Sequence, residues 1–303
     1  MIERSNVERM KNDELVKLAR VLKIPIYDRE IQRSNLIDQI MTAIEKIRGS
    51  ERIEGKLCSP AIEIKNLVKH FGKKFAVYGL NLTVNPGEIV GLVGPNGAGK
   101  TTTLRILTGI IRQSSGQVEV NGHDILENPI KAKSVIGYIP ERPTCYPSLT
   151  VKEYVTFMAR VYEVPKRVAL VRMRKFVDMF QMDEFLNSYI GTLSKGNLQR
   201  ALLIGIFVRP SPYILALDEP IYGLDPRGAW NLKAHLKHLR DEGSAILIST
   251  HILEVASDLC DRFVIMNEGI VVGKGTLDEL LNEHKSSRNL EEVFLSLTGG
   301  IPS

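Results

Sequence analysis

The segment Gly94-Pro95-Asn96-Gly97-Ala98-Gly99-Lys100-Thr101-Thr102 holds the residue types needed to grip a polyphosphate. Its spacing, a glycine, four residues and then Gly-Lys-Thr, is that of a P-loop. Glycine lets backbone N–H groups close around phosphates where a Cβ would clash or forbid the dihedral angles required. A helix starting directly after the loop turns the positive end of its dipole towards the anion. Lys100 can then reach the β- and γ-phosphates, and the Thr101 hydroxyl can bind Mg2+. A second segment, Tyr213-Ile214-Leu215-Ala216-Leu217-Asp218-Glu219-Pro220, ends an apolar run in two carboxylates. At the C-terminal end of a parallel strand, Asp218 can hold Mg2+ through water while Glu219 polarises an attacking water. Together these residues suit hydrolysis of a nucleoside triphosphate, but they leave kinases, GTPases and many motors open.

Such chemistry needs strands that end at the site and helices that begin there. Asn85-Pro86-Gly87 precedes a strand over Ile89–Val93, directly before the P-loop. Tyr213–Leu217 and Ala245–Ile248 are continuous apolar runs, as in buried strands of a parallel sheet. Asn121-Gly122 and Asn267-Glu268-Gly269 mark hairpin turns. From about Pro143 to Ser194 the pattern is mostly helical. The chain from Ala61 onward therefore reads as α/β, with a strand-rich start, a helical middle and an α/β finish. Residues 1–57 differ in texture. Leu15, Leu18, Ala19 and Leu22 recur at helical spacing, with Asn12 as cap and Asp13 and Glu14 in the first turn. Pro25 ends that helix. A second helix from about Asn35 has Leu36, Ile37, Ile40, Ile44 and Ile47 on its apolar face, and the polar stretch Gly49–Ser59 reads as a linker. The expected division is a small α-helical domain and linker at 1–57, then a catalytic domain at 58–303.

Composition narrows the setting. Of 303 residues, 44% are hydrophobic and 25% charged, ordinary values for a globular protein with a substantial core. Cys58, Cys145 and Cys260 are odd in number, far apart and without metal-ligand spacing, which excludes a disulfide framework and fits a reducing cytoplasm. Met1–Arg20 is too charged for a signal peptide. The most apolar stretch, Ala201–Asp218, is broken by Arg209, Pro210 and Pro212, short of the ~20 apolar residues a membrane helix needs. Any membrane role must come through a separate subunit.

Further motifs point to one family. Leu193-Ser194-Lys195-Gly196-Asn197 lies shortly before the acid pair, with Ser194 24 residues ahead of Asp218. Gly223-Leu224-Asp225-Pro226 and Ser249-Thr250-His251 follow it. In this order they resemble the signature motif, D-loop and switch histidine of ATP-binding-cassette (ABC) proteins, over about residues 61–282. The resemblance implies a P-loop NTPase fold with an antiparallel β subdomain and a helical subdomain. It also implies a head-to-tail pairing with a second nucleotide-binding subunit, in which Ser194, Gly196 and Asp225 meet the ATP held by the partner. His251 would bond the γ-phosphate and orient the water, and Phe71 would stack on adenine. Lys195 and Asn197 depart from the family's signature, where glutamine is usual at the latter. Glu141, in Ile139-Pro140-Glu141, stands where most members have a glutamine that touches Mg2+. A carboxylate there can still accept from metal-bound water, but it adds negative charge beside the phosphates.

Gly94–Ile110, Ile136–Glu141 and the ending Leu290-Glu291-Glu292-Val293-Phe294-Leu295 are similar to stand-alone ATPase subunits of drug, antibiotic-resistance and sodium-type exporters. Such subunits sit peripherally on the cytoplasmic face of the membrane and pair with a separate transmembrane permease. Residues 1–57 resemble the helix–extended–helix fold of SAP-type and Rho-N-type domains, with Lys23, Arg29 and Arg33 suited to phosphate contacts. This leaves one alternative, a non-transport ABC ATPase acting on nucleic acid or the ribosome. Three features favour the transporter. Residues 1–57 hold 12 basic against 10 acidic residues, there is one cassette rather than two, and only 94 residues separate Lys100 from Ser194. That spacing has no room for a long coiled-coil insertion.

Overall fold

The computed structural model describes residues 4–21, 24, 33–50, 57–209, 213–285 and 287–299. The chain begins with α1 (Arg4–Glu8), α2 (Asn12–Val21) and α3 (Arg33–Ser50). Asp13 and Glu14 occupy the first turn of α2, where the helix dipole favours negative charge. Leu15 and Ala19 of α2 are buried, as are Leu36, Ile37 and Ile40 of α3. Arg4 bridges Glu8 and Asp38 and so ties α1 to α3. Arg33 donates to the carbonyl oxygens of Glu8 at 2.9 Å and Met10 at 2.5 Å, and to Asn12 Oδ1. Its guanidinium therefore stitches the α1–α2 corner. α3 also continues through Gly49 and Ser50, because no proline or cap stops it before the linker. Lys23, Arg29, the extended segment around them and most of that linker lie outside the described residues. Arg33→Ala should destabilise this corner by about 1 kcal/mol. Hydrogen exchange should then quicken in α1 and α2 but not in the strands that follow.

β1 (Ile62–Phe71) and β2 (Lys74–Val84) form a long hairpin, and β3 (Glu88–Val93) leads through the P-loop into α4 (Lys100–Leu107). β4 (Ser115–Val120) and β5 (His123–Asp124) turn at Asn121 and Gly122, whose φ angles of 51° and 72° are those a tight hairpin demands. α5 (Pro129–Val135) precedes β6 (Ile136–Ile139). The helical middle comprises α6 (Val151–Val161), α7 (Lys166–Phe180) and α8 (Lys195–Phe207). The chain closes with β7 (Ile214–Asp218), α9 (Pro226–Asp241), β8 (Ala245–Thr250), α10 (Leu253–Leu259), β9 (Arg262–Asn267), β10 (Ile270–Gly275), α11 (Leu277–Glu283) and α12 (Leu290–Thr298).

Two compact units result. One combines Met1–Gly55 with Cys145–Ser211, the other Lys56–Thr144 with Pro212–Ser303. In the second, a four-stranded antiparallel sheet has the order β2-β1-β4-β5, and a six-stranded sheet the order β10-β9-β3-β8-β7-β6. Within the larger sheet β9, β3, β8, β7 and β6 run parallel, and β10 closes the edge antiparallel to β9. Every residue of β7 and β8 is buried, as a parallel sheet requires. Ile64 and Val84 share one apolar cluster with Leu92, Leu104, Ala216 and Leu247, so α4 is wedged between the sheets.

The first unit is helical. Thr150 and Glu153 form a capping box that starts α6. Phe176 and Phe180 of α7 lie with ring centroids 5.4 and 6.4 Å from Phe207 of α8, and buried Arg172 donates to the Phe207 carbonyl. Val171 of α7 belongs to the same apolar cluster as Val7, Leu15 and Ile40. The N-terminal helices thus share a core with the helical middle.

Candidate active site

The strand register brings the chemistry together. β3 lies beside β8, and β8 beside β7, so the loop after Val93, the acids ending β7 and the polar end of β8 emerge at one edge of the sheet. Asp218 pairs with Ser249, and Leu217 with Ile139 of β6. Parallel sheets bind ligands at this carboxyl edge.

Two P-loop glycines are sterically required. A Cβ on Gly94 would stand 2.4 Å from the Met266 carbonyl oxygen, and one on Gly99 would stand 2.4 Å from that of Ala76. Gly99 has φ 106°, left-handed backbone at the head of α4 that L side chains rarely adopt. Lys100 is buried, and its Nζ donates to the carbonyl oxygens of Gly94 at 2.5 Å and Pro95 at 3.0 Å. Burial pushes its pKa below the usual lysine value, and the carboxylates of Glu219, Asp218 and Glu141 oppose that shift.

Asp218 is 1% exposed. Ser249 Oγ donates to its Oδ1, whereas Oδ2 is buried without a hydrogen-bond partner among the described residues. Burial raises its pKa above the usual carboxylate range, and the hydroxyls of Ser249 and then Thr101 hold it back. Glu219 follows with φ 50°, a left-handed conformation costly for a non-glycine residue and concentrated at functional sites. Its N–H donates to the Ser249 carbonyl at 3.0 Å, which helps hold the turn. Its carboxylate accepts from Thr250 Oγ1 at 3.1 Å, His251 N at 2.9 Å and His251 Nδ1 at 2.6 Å. With Nδ1 donating, the neutral His251 ring leaves Nε2 as an acceptor. The protonated ring would instead make Nε2 a second donor.

Asp218, Glu219 and His251 line a cavity of about 510 Å3 together with Asn96–Thr102, Glu141 and Phe71. Phe71 is 55% exposed, and Lys69 Nζ sits 4.8 Å from its ring centroid. Gly94 and Pro95 do not line the cavity; they hold Lys100 through their carbonyl oxygens. Ser194 is the N-cap of α8 and accepts from Asn197 N at 3.3 Å, with Gly196 in that first turn. Asp225 caps α9, accepting from Gly228 N at 2.8 Å. None of these three residues lines the cavity. Sequence reasoning gave no role to Ser249 and Thr250, which hold the two acids. Their signal was two hydroxyl residues ending an otherwise apolar buried strand. It also passed over Arg142 and Lys74, both of which line the cavity.

Known proteins carry the same organisation. The family model described as ABC transporter matches residues 77–222. Over 238 residues the chain is 33% identical to the ABC-type transporter ATP-binding protein EcsA of Bacillus subtilis, covering 78% of this chain and 96% of that protein. It is likewise 33% identical to the Nod factor export ATP-binding protein I of Burkholderia lata, over 73% of this chain and 72% of that one. A solved ATP-binding subunit of an ABC transporter superposes with a TM-score of 0.74 at 31% identity, covering 78% of this chain and 99% of the other. With the P-loop, the acid pair and the histidine on one sheet edge, the chain belongs to the family of ABC transporter ATP-binding subunits.

Proposed function

We propose that this chain hydrolyses MgATP to drive a separate membrane-spanning partner, through ATP-dependent pairing of two cassettes. The observation that carries the reading is the convergence of Lys100, Thr101, Asp218, Glu219 and His251 on one cavity. Among the described residues no helix is long and apolar enough to cross a membrane. The export named for one relative supports an exporter. The shared core with α7 supports a packing role for the N-terminal helices.

The residues present fit Mg2+. Asp218 Oδ2 is an orphaned buried oxygen that a metal-bound water would satisfy, and Thr101 supplies a hydroxyl beside it. Among the described residues there is no cluster of three or more His, Cys, Asp or Glu able to cage a metal. Mg2+ keeps most of its waters and takes few protein ligands. When bound, Mg2+ would neutralise negative charge developing on the phosphates. Glu141 would accept from a water in that shell.

The chain's own residues account for the remaining steps. The P-loop amides and Lys100 hold the β- and γ-phosphates, and Phe71 stacks on the base with Lys69 near its ring. Glu219 takes a proton from the attacking water, and His251 Nε2 orients that water or, when protonated, donates to the γ-phosphate. Ser194, Gly196 and Asp225 close the site from the second cassette. Purified protein should release phosphate from ATP only with Mg2+ present; phosphate release unaffected by chelation would contradict the metal assignment. Glu141→Gln should retain Mg2+-dependent turnover within about threefold, because an amide oxygen still accepts from a metal-bound water. A steady-state assay showing loss of turnover would reveal a specific need for the carboxylate.

A further inference from the structure

Glu141, Asp218 and Glu219 line the cavity beside Lys100 and Lys74, and ATP would add further anionic oxygens. The cavity also holds Arg142, an exposed residue with no hydrogen-bond or ion-pair partner among the described residues. β6 runs parallel to β7 with Ile139 opposite Leu217, so the chain leaving β6 emerges level with Asp218 and Glu219. Pro140 and Pro143 bracket the pair Glu141-Arg142. Proline fixes its own φ and keeps the residue before it extended, which reduces the conformational freedom lost when Arg142 engages a ligand. Guanidinium presents a planar fork that matches phosphate oxygens, and arginine stays charged at any working pH.

We propose that Arg142 is a second phosphate-binding cation of this cassette. Resting on the nucleotide reading above, it contacts the terminal phosphate of ATP from the β6 side and offsets the charge of Glu141. This contact gives the site a preference for the triphosphate over ADP, because Lys100 and the P-loop also serve the inner phosphates whereas Arg142 serves the outer one.

The test is a calorimetric titration with Mg2+ and either ADP or the non-hydrolysable imido analogue of ATP, on the parent chain, Arg142→Ala, Arg142→Lys and Lys100→Ala. Arg142→Ala should weaken the triphosphate analogue about tenfold and ADP by less than about twofold, from the loss of one charge-assisted contact in a partly solvated site. Arg142→Lys, which keeps the charge without the fork, should recover part of that loss. If Arg142→Ala binds both nucleotides like the parent while Lys100→Ala does not, Arg142 is only a solvated surface charge and the proposal fails. Equal weakening of both nucleotides by Arg142→Ala would contradict contact with the terminal phosphate. Should Lys100→Ala also bind like the parent, the nucleotide reading itself falls, and the assignment of Arg142 falls with it.

Discussion

Glu219→Gln should lower the rate of ATP turnover by about 10²–10⁴-fold, the range for loss of a positioned general base, while leaving ATP binding intact. The structure explains why this change isolates chemistry from folding. The glutamine Oε1 can accept from His251 N and Nδ1 as the carboxylate does. Its amide can donate to Thr250 Oγ1, reversing the direction of that bond without moving an atom. The left-handed turn at this position depends on the backbone bond to Ser249, which the substitution leaves alone. What disappears is the ability to take a proton. With opening after hydrolysis blocked, an ATP-bound pair of cassettes should accumulate, visible as doubled mass in light scattering. Turnover at the parent rate would remove Glu219 from the role of base.

Lys100→Ala should act earlier in the cycle. Nζ is the buried cation facing Asp218, Glu219 and Glu141, so its removal leaves three carboxylates around the phosphate site without it. Loss of a charge-assisted contact in so enclosed a place should reduce ATP affinity about 10–100-fold and abolish measurable turnover. Lys100 also links the carbonyl oxygens of Gly94 and Pro95, so the loop should lose order as well. Nucleotide titration separates this outcome from that of Glu219→Gln, which should bind ATP normally. Unchanged affinity in Lys100→Ala would contradict the reading of the P-loop.

The difference between local and long-range information decides what could be read from the chain alone. The P-loop and the acid pair depend on residues adjacent in sequence: the loop joins β3 to α4, and Asp218 is the last residue of β7. The hairpin at Asn121-Gly122 was legible for the same reason, since few residue pairs accept two consecutive positive φ angles. The strand order was not legible, because β3, β8 and β7 are joined through long connections and only their pairing sets Ser249 against Asp218. Nor was the backbone strain at Glu219, which arises from that tertiary setting and not from a turn-forming residue type. Nor were the partners of Arg33 legible, since its guanidinium donates to the carbonyl oxygens of Glu8 and Met10 across the α1–α2 corner. The sharing of a core between Val171 and the N-terminal helices joins residues more than a hundred positions apart, beyond any helical periodicity.

An ATPase that drives a separate membrane protein is tested most directly by affinity purification of the tagged chain from detergent-solubilised native membranes, with the co-purifying proteins identified by mass spectrometry. A multi-span membrane protein recovered in stoichiometric amount is the predicted result. Recovery solely from the soluble fraction, with nucleic acid or ribosomes attached, would contradict it.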